Sequence, residues 1–115
     1  MTTKKVLIID DEQDLCHLMK SFLLPLGFTV YTAHTLKDGL DAVKNLSPEV
    51  IFLDNNLPDG FGWDHITEIM RVVPDCNITL MSAFKNSNDI KHNQDIHILE
   101  KPISLNRLSV HLKNM

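Results

Sequence analysis

Short apolar runs alternate along this chain with longer segments of helical spacing. VLII at 6–9 is unbroken by polar residues, the pattern of a strand buried on both faces. Leu15, Leu18, Met19, Phe22 and Leu23 recur at helical intervals over 13–25, and Gly27 follows as a stop. FTVYTA at 28–33 alternates as a strand. Thr35 can cap a helix running to Leu46, with Leu36, Leu40 and Val43 on one face and Ser47-Pro48 ending it. VIFL at 50–53 is a second buried strand, followed by a loop rich in Asn, Pro and Gly and a helix from about Trp63 to Val73. After the Pro74-Asp75 turn, ITLM at 78–81 and IHIL at 96–99 read as strands, and a final helix starts near Leu105. This alternation predicts an α/β fold: a doubly wound, five-stranded parallel sheet with helices on both faces and right-handed crossovers. The whole chain, 1–115, reads as one domain, with no repeat, low-complexity tract or linker.

Composition narrows the function classes. A net charge of −4 argues against broad binding to nucleic acid or to an anionic membrane. Cys16 and Cys76 form neither a C-x-x-C pair nor a zinc spacing and read as small buried side chains in a reducing, cytoplasmic protein. Lys4 and Lys5 precede an apolar run too short for a signal peptide or a membrane span. The six histidines share no ligand spacing and read as surface or core residues, and Trp63 reads as a packing residue.

The polar residues that end the strands are more informative. VLII runs into Asp10 and Asp11, with Glu12 and Asp14 close behind, although adjacent carboxylates repel. The third strand ends at Asp54, the fourth at Ser82 and the fifth at Lys101. In open parallel sheets the chemistry sits outside the carboxyl ends of the strands, so these groups are expected on one rim. Taken singly, each has a plainer reading: Asp11 as a helix cap, Asp54 as a loop carboxylate before Pro58, Ser82 as a turn residue, Lys101 as a solvated lysine.

Together, in order and each at a strand end, Asp10-Asp11, the Asp54-Asn55-Asn56-Leu57-Pro58-Asp59-Gly60 loop with Gly62, Ser82-Ala83 and Lys101-Pro102 resemble the receiver domain of two-component response regulators over essentially the whole length. The resemblance implies a flavodoxin-like strand order 2-1-3-4-5. It implies a phosphoacceptor signalling domain rather than an enzyme: Asp54 takes a phosphoryl group as an acyl phosphate. The donor is a sensor histidine kinase or phosphotransfer protein. Mg²⁺ is the implied cofactor, bound by Asp11, Asp54 and the Asn56 carbonyl, with Asp10 acting largely through water. Lys101 supplies positive charge to the phosphoryl oxygens, and Ser82 a hydroxyl to the phosphorylated form alone. The Lys101-Pro102 bond is expected to be cis. A phosphorylation-independent interaction module and an Asp-nucleophile phosphatase stay open as alternatives. So do the downstream protein target, a monomer or a phosphorylation-dependent dimer, and whether the chain stands alone or is a piece of a longer regulator.

Two features depart from the family pattern. Ser82 and Lys101 lie only 19 positions apart, and KNSNDIKHNQD between them has one apolar residue, Ile90, so the fourth helix is expected to be short or irregular. Ile98 stands where relatives often carry an aromatic ring, which removes that ring as a switch. The conformational change is therefore expected to fall on the segment after Ser82, where Phe84 would shield the acyl phosphate from water.

Overall fold

The structure, a computed structural model, describes residues 4–83 and 96–113. Five strands form one parallel sheet: β1 (Lys5–Ile9), β2 (Thr29–Ala33), β3 (Val50–Asp54), β6 (Asn77–Ser82) and β7 (Ile96–Glu100). Their order is β2-β1-β3-β6-β7, which is 2-1-3-4-5 when only this sheet is counted. Between β3 and β6 the chain makes a two-residue ladder, β4 (Asn56–Leu57) with β5 (Gly60–Phe61), in the stretch that the sequence reads as loop.

The period-2 alternation of the strands divides the core in two. Leu7, Ile9, Ile51, Leu53, Ile78 and Leu80 face one way, toward the helices α2 (Leu36–Leu46) and α3 (Ile66–Val72). Val6, Ile8, Val50, Phe52, Met81 and Leu99 face the other, toward α1 (Gln13–Leu23) and α4 (Leu105–Lys113). Because both faces are covered, the central strands read as unbroken apolar runs.

The helix ends follow local chemistry. Thr35 caps α2 as expected, its Oγ1 accepting from the Asp38 N–H at 3.1 Å, and Ser47 ends the helix in the left-handed region at φ 47°. α1 ends earlier than its apolar pattern predicts. Leu24–Leu26 tightens into a 3-10 turn, with Pro25 at its first turn and Gly27 at φ 98° closing it. Leu18, on the predicted apolar face, is 44% exposed, whereas Cys16, Met19 and Leu23 carry the packing. The Trp63 helix likewise begins as a 3-10 turn, Gly62–His65, before α3. Both cysteines are free and buried, as read from the sequence. The expected fourth helix and the roles given to Ile90 and Phe84 fall at 84–95, outside the described residues.

Two contacts give tests of the fold. A methyl group at Gly62 would collide with the Asp54 carbonyl oxygen and lie 2.9 Å from Leu53 Cδ1, and backbone cannot yield as a side chain does. Gly62→Ala is expected to cost about 1–3 kcal/mol, seen as a fall of about 4 °C or more in Tm. On the opposite face, His111 of α4 shares a 2.6 Å hydrogen bond with Thr79 of β6 and meets the His97 ring edge-on at 5.3 Å. Burial, then the neighbouring His97, pushes the His111 pKa below its ordinary value. The unfolded chain therefore binds the extra proton more readily, so stability is full above the unfolded pKa near 6.5 and falls as the pH drops through it. Thermal melts from pH 8 to 5 are expected to show a smaller loss in His111→Gln than in the parent; equal losses would remove His111 as a cause.

Candidate functional site

The sheet register sets up the site. Ile9 of β1 pairs with Leu53 of β3, so Asp10 and Asp54 occupy equivalent positions at the ends of neighbouring strands. Asp54 pairs with Met81 of β6, and Met81 with Leu99 of β7, so Ser82 and Lys101 follow at the same rim. Alternation puts Asp10 in line with Val6 and Ile8, Asp54 with Val50 and Phe52, and Lys101 with Leu99. The expected convergence of strand ends is thus present.

Asp10 is fully buried, and Asp54 and Ser82 are 5% and 6% exposed. Lys101 Nζ lies 2.8 Å from Asp10 Oδ2, 3.1 Å from Glu12 Oε1 and 3.4 Å from Asp54 Oδ1. Asp10 Oδ1 accepts from the Glu12 backbone N–H at 2.9 Å. Its Oδ2 is buried and has no hydrogen bond: the 2.8 Å approach of Lys101 supplies charge at an angle outside hydrogen-bond geometry. The Lys101-Pro102 bond is cis, and the Lys101 N–H donates to the Ser82 carbonyl at 2.7 Å, which ties β7 to the end of β6.

Burial, and then the charge of Asp10, pushes the Asp54 pKa up to about 6 against the opposing pull of Lys101. Burial alone would lower the Lys101 pKa; the close Asp10 carboxylate, with Glu12 and Asp54, more than offsets it and leaves the ammonium more firmly protonated than usual. Asp54 is therefore a desolvated carboxylate that ionises near neutrality beside a permanently charged lysine.

One carboxylate oxygen each from Asp10, Asp11 and Asp54 lies within 4.8 Å of the others. Three hard oxygen donors and an unsatisfied buried Asp10 oxygen fit a hard divalent cation such as Mg²⁺. Asp11 is exposed and does not cap α1: Glu12 holds that position and makes no side-chain cap. Asn56 is exposed and paired with Phe61 in the small ladder. Ile98 is half-buried against the α2–α3 side of the core.

The loop after Asp54 is held from within. Gly62 N–H donates to the Asn55 carbonyl at 2.9 Å, and Trp63 N–H to Asn55 Oδ1 at 3.2 Å. Trp63 is half-buried against the core, with its indole N–H 3.4 Å from the Leu53 carbonyl. Three roles escape the sequence reading. Glu12 pairs with Lys101. Asp59 takes the N–H groups of Leu36 and Lys37 at 2.7 and 2.9 Å, and these bonds hold its carboxyl below the usual range. His34 Nδ1 lies 3.0 Å from the Asp10 carbonyl. Cys16 Sγ also contacts that carbonyl, at 3.5 Å, but burial and then the Asp10 charge push its thiol up to about 12, so it is no nucleophile.

Comparison with known proteins adds independent information. The regulatory protein LuxO of Vibrio vulnificus is 29% identical over 111 residues, which cover 93% of this chain and 24% of LuxO. The chain thus spans about a quarter of the length of the LuxO relatives it matches. The chemotaxis protein CheY of Thermotoga maritima is 31% identical over 81 residues, covering 70% of this chain and 68% of CheY. A crystal structure of a two-component response regulator from Clostridium difficile superposes with a TM-score of 0.86 at 27% identity, covering 97% of this chain and 94% of that one. The family model described as the response regulator receiver domain matches residues 6–113. With that match running from the first strand through the last helix, this chain belongs to the family of response regulator receiver domains.

Proposed function

We propose that this chain accepts a phosphoryl group on Asp54 from a sensor histidine kinase or a phosphotransfer protein and changes its protein contacts in response. The observation that carries the reading is the buried Asp54 carboxylate at the end of β3, set 3.4 Å from Lys101 and clustered with Asp10 and Asp11. With a pKa near 6, Asp54 is largely ionised at neutral pH and available as a nucleophile. An Asp54 oxygen attacks phosphorus, the P–N bond of a phosphohistidine donor breaks, and its electron pair returns to the imidazole. Lys101 offsets negative charge on the phosphoryl oxygens, and Ser82 donates its hydroxyl to one of them. Bound Mg²⁺, held by Asp11, Asp54, the Asn56 carbonyl and Asp10 through water, would supply further charge neutralisation. The domain so read acts as a cytoplasmic signalling module through protein contacts, without direct nucleic-acid binding, as a monomer or a phosphorylation-dependent dimer. Self-catalysed transfer and autodephosphorylation are the only reactions assigned to it.

Incubation with acetyl phosphate and Mg²⁺, read by intact mass, is expected to give a single phosphoryl adduct on the parent and none on Asp54→Asn. An undiminished adduct on the variant would reject Asp54 as the acceptor. The same variant tests the electrostatics without metal. A carboxyl whose pKa is raised on folding binds its proton more tightly in the folded state, so its destabilising effect grows as the pH rises from about 4 to about 6 and is full above that. Asp54→Asn is therefore expected to melt higher than the parent at pH 7, with the gain fading below about pH 4.

Mg²⁺ is expected to raise the Tm of the unphosphorylated chain through binding to the folded state. Asp11→Ala should weaken that binding by about tenfold or more, the cost seen even for outer partners of a metal site. Titration followed by Trp63 fluorescence measures it, and unchanged affinity in the variant would remove Asp11 from the ligands.

A further inference from the structure

Lys101 has three N–H donors and is surrounded by three carboxylates. A phosphoryl oxygen that takes up this ammonium competes with these carboxylates for it, and Glu12 accepts a hydrogen bond from it at 3.1 Å. Asp10 is fully buried and could not release the lysine without leaving an uncompensated charge in the core. Asp54 is the group under attack. Glu12 is different: its side chain is 62% exposed, so its carboxylate passes into water at little cost.

The local structure leaves Glu12 suited to this contact. It occupies the N-cap of α1, where Ser, Thr, Asp or Asn would use the side chain to cap, yet its own side chain makes no cap bond. Its backbone is fixed on both sides: the N–H donates to Asp10 Oδ1 at 2.9 Å, and the carbonyl accepts from Cys16 N–H at 3.1 Å. The carboxylate thus reaches Lys101 from an anchored base, and at 3.1 Å it sits closer to the ammonium than Asp54 does at 3.4 Å.

We propose that Glu12 is a positioning residue that holds Lys101 in the unphosphorylated state and competes with the incoming phosphoryl group for it. The inference rests on the reading of Asp54 as the acceptor. Phosphoryl arrival transfers Lys101 from Glu12 to the phosphoryl oxygens and frees the Glu12 side chain at the start of α1. Glu12 sets the donor concentration needed for phosphorylation, not the rate once the donor is bound.

The test follows adduct formation against acetyl phosphate concentration, with Mg²⁺ at low ionic strength, for the parent, Glu12→Gln, Asp14→Asn and Asp54→Asn. Asp14 is exposed in the first turn of α1, so its variant removes the same charge two positions further on and controls for general repulsion of an anionic donor. Glu12→Gln is expected to lower the half-saturating donor concentration about two- to fivefold, the scale of an exposed ion pair, with the limiting rate unchanged. The difference should shrink as added salt screens the pair. Asp14→Asn should give less than half of that change. An unchanged or higher half-saturating concentration in Glu12→Gln, or an equal gain in Asp14→Asn, overturns the inference while leaving Asp54 as the acceptor. No adduct on the parent, or an equal adduct on Asp54→Asn, overturns the acceptor reading and this inference with it.

Discussion

Among the described residues, the ammonium group of Lys101 is the cation set into the acidic rim of this sheet. Lys101 reaches across from the end of β7 to Asp10 and Asp54 at the ends of β1 and β3. Without it, Asp10 would be a fully buried carboxylate with no counter-charge and like charge beside it, a state costly to folding. The lysine does not complete the balance. Among the described residues, Asp10, Asp11, Glu12 and Asp54 bring four acidic groups to one cationic side chain, and burial, with the charge of Asp10 next, raises the Asp54 pKa to about 6. The site is thus stable enough to form and negative enough to attract a cation.

That balance depends on accurate placement by the sheet. The parallel register puts four strand ends at one level, and alternation turns Asp10, Asp54 and Lys101 to the side lined by Val6, Ile8, Phe52 and Leu99. Buried apolar strands form a stiff base because interiors are close-packed and side chains there have few alternative positions. The hydrogen bond from Lys101 N–H to the Ser82 carbonyl extends the β6–β7 pairing beyond the last paired residue and fixes where the lysine leaves the sheet.

Much of this was legible in the sequence because each active group ends an apolar run. Asp10, Asp54 and Ser82 follow strands whose unbroken character can be seen without a structure, and the strand order followed from the family resemblance. Contacts between side chains on distant segments were not legible. Glu12 and Lys101 are 89 positions apart, and Asp59 is 23 from Leu36, so no local pattern connects them. Glu12 stands in the acidic cluster after the first strand, and nothing near it in sequence indicates a partner. The β4–β5 ladder was hidden because two residues a side are too few to show alternation, and Asn, Pro, Asp and Gly suit an open loop equally well. Leu18 fitted the helical period yet lies outside the core, since period alone does not say how wide a face the sheet covers.

The two bonds from the start of α2 to Asp59 make that helix an anchor for the turn between β4 and β5, in the loop that follows Asp54. On the helix side, both donors are backbone N–H groups. The side chains at 36 and 37 play no part in the bonds, so every residue except proline can supply the donor. On the turn side, the bonds need a carboxylate of the length found at Asp59. The connection is therefore asymmetric under sequence drift: the outer face of α2 is free to change its character, for a new partner or a new charge, while the loop beside the acceptor keeps its mooring.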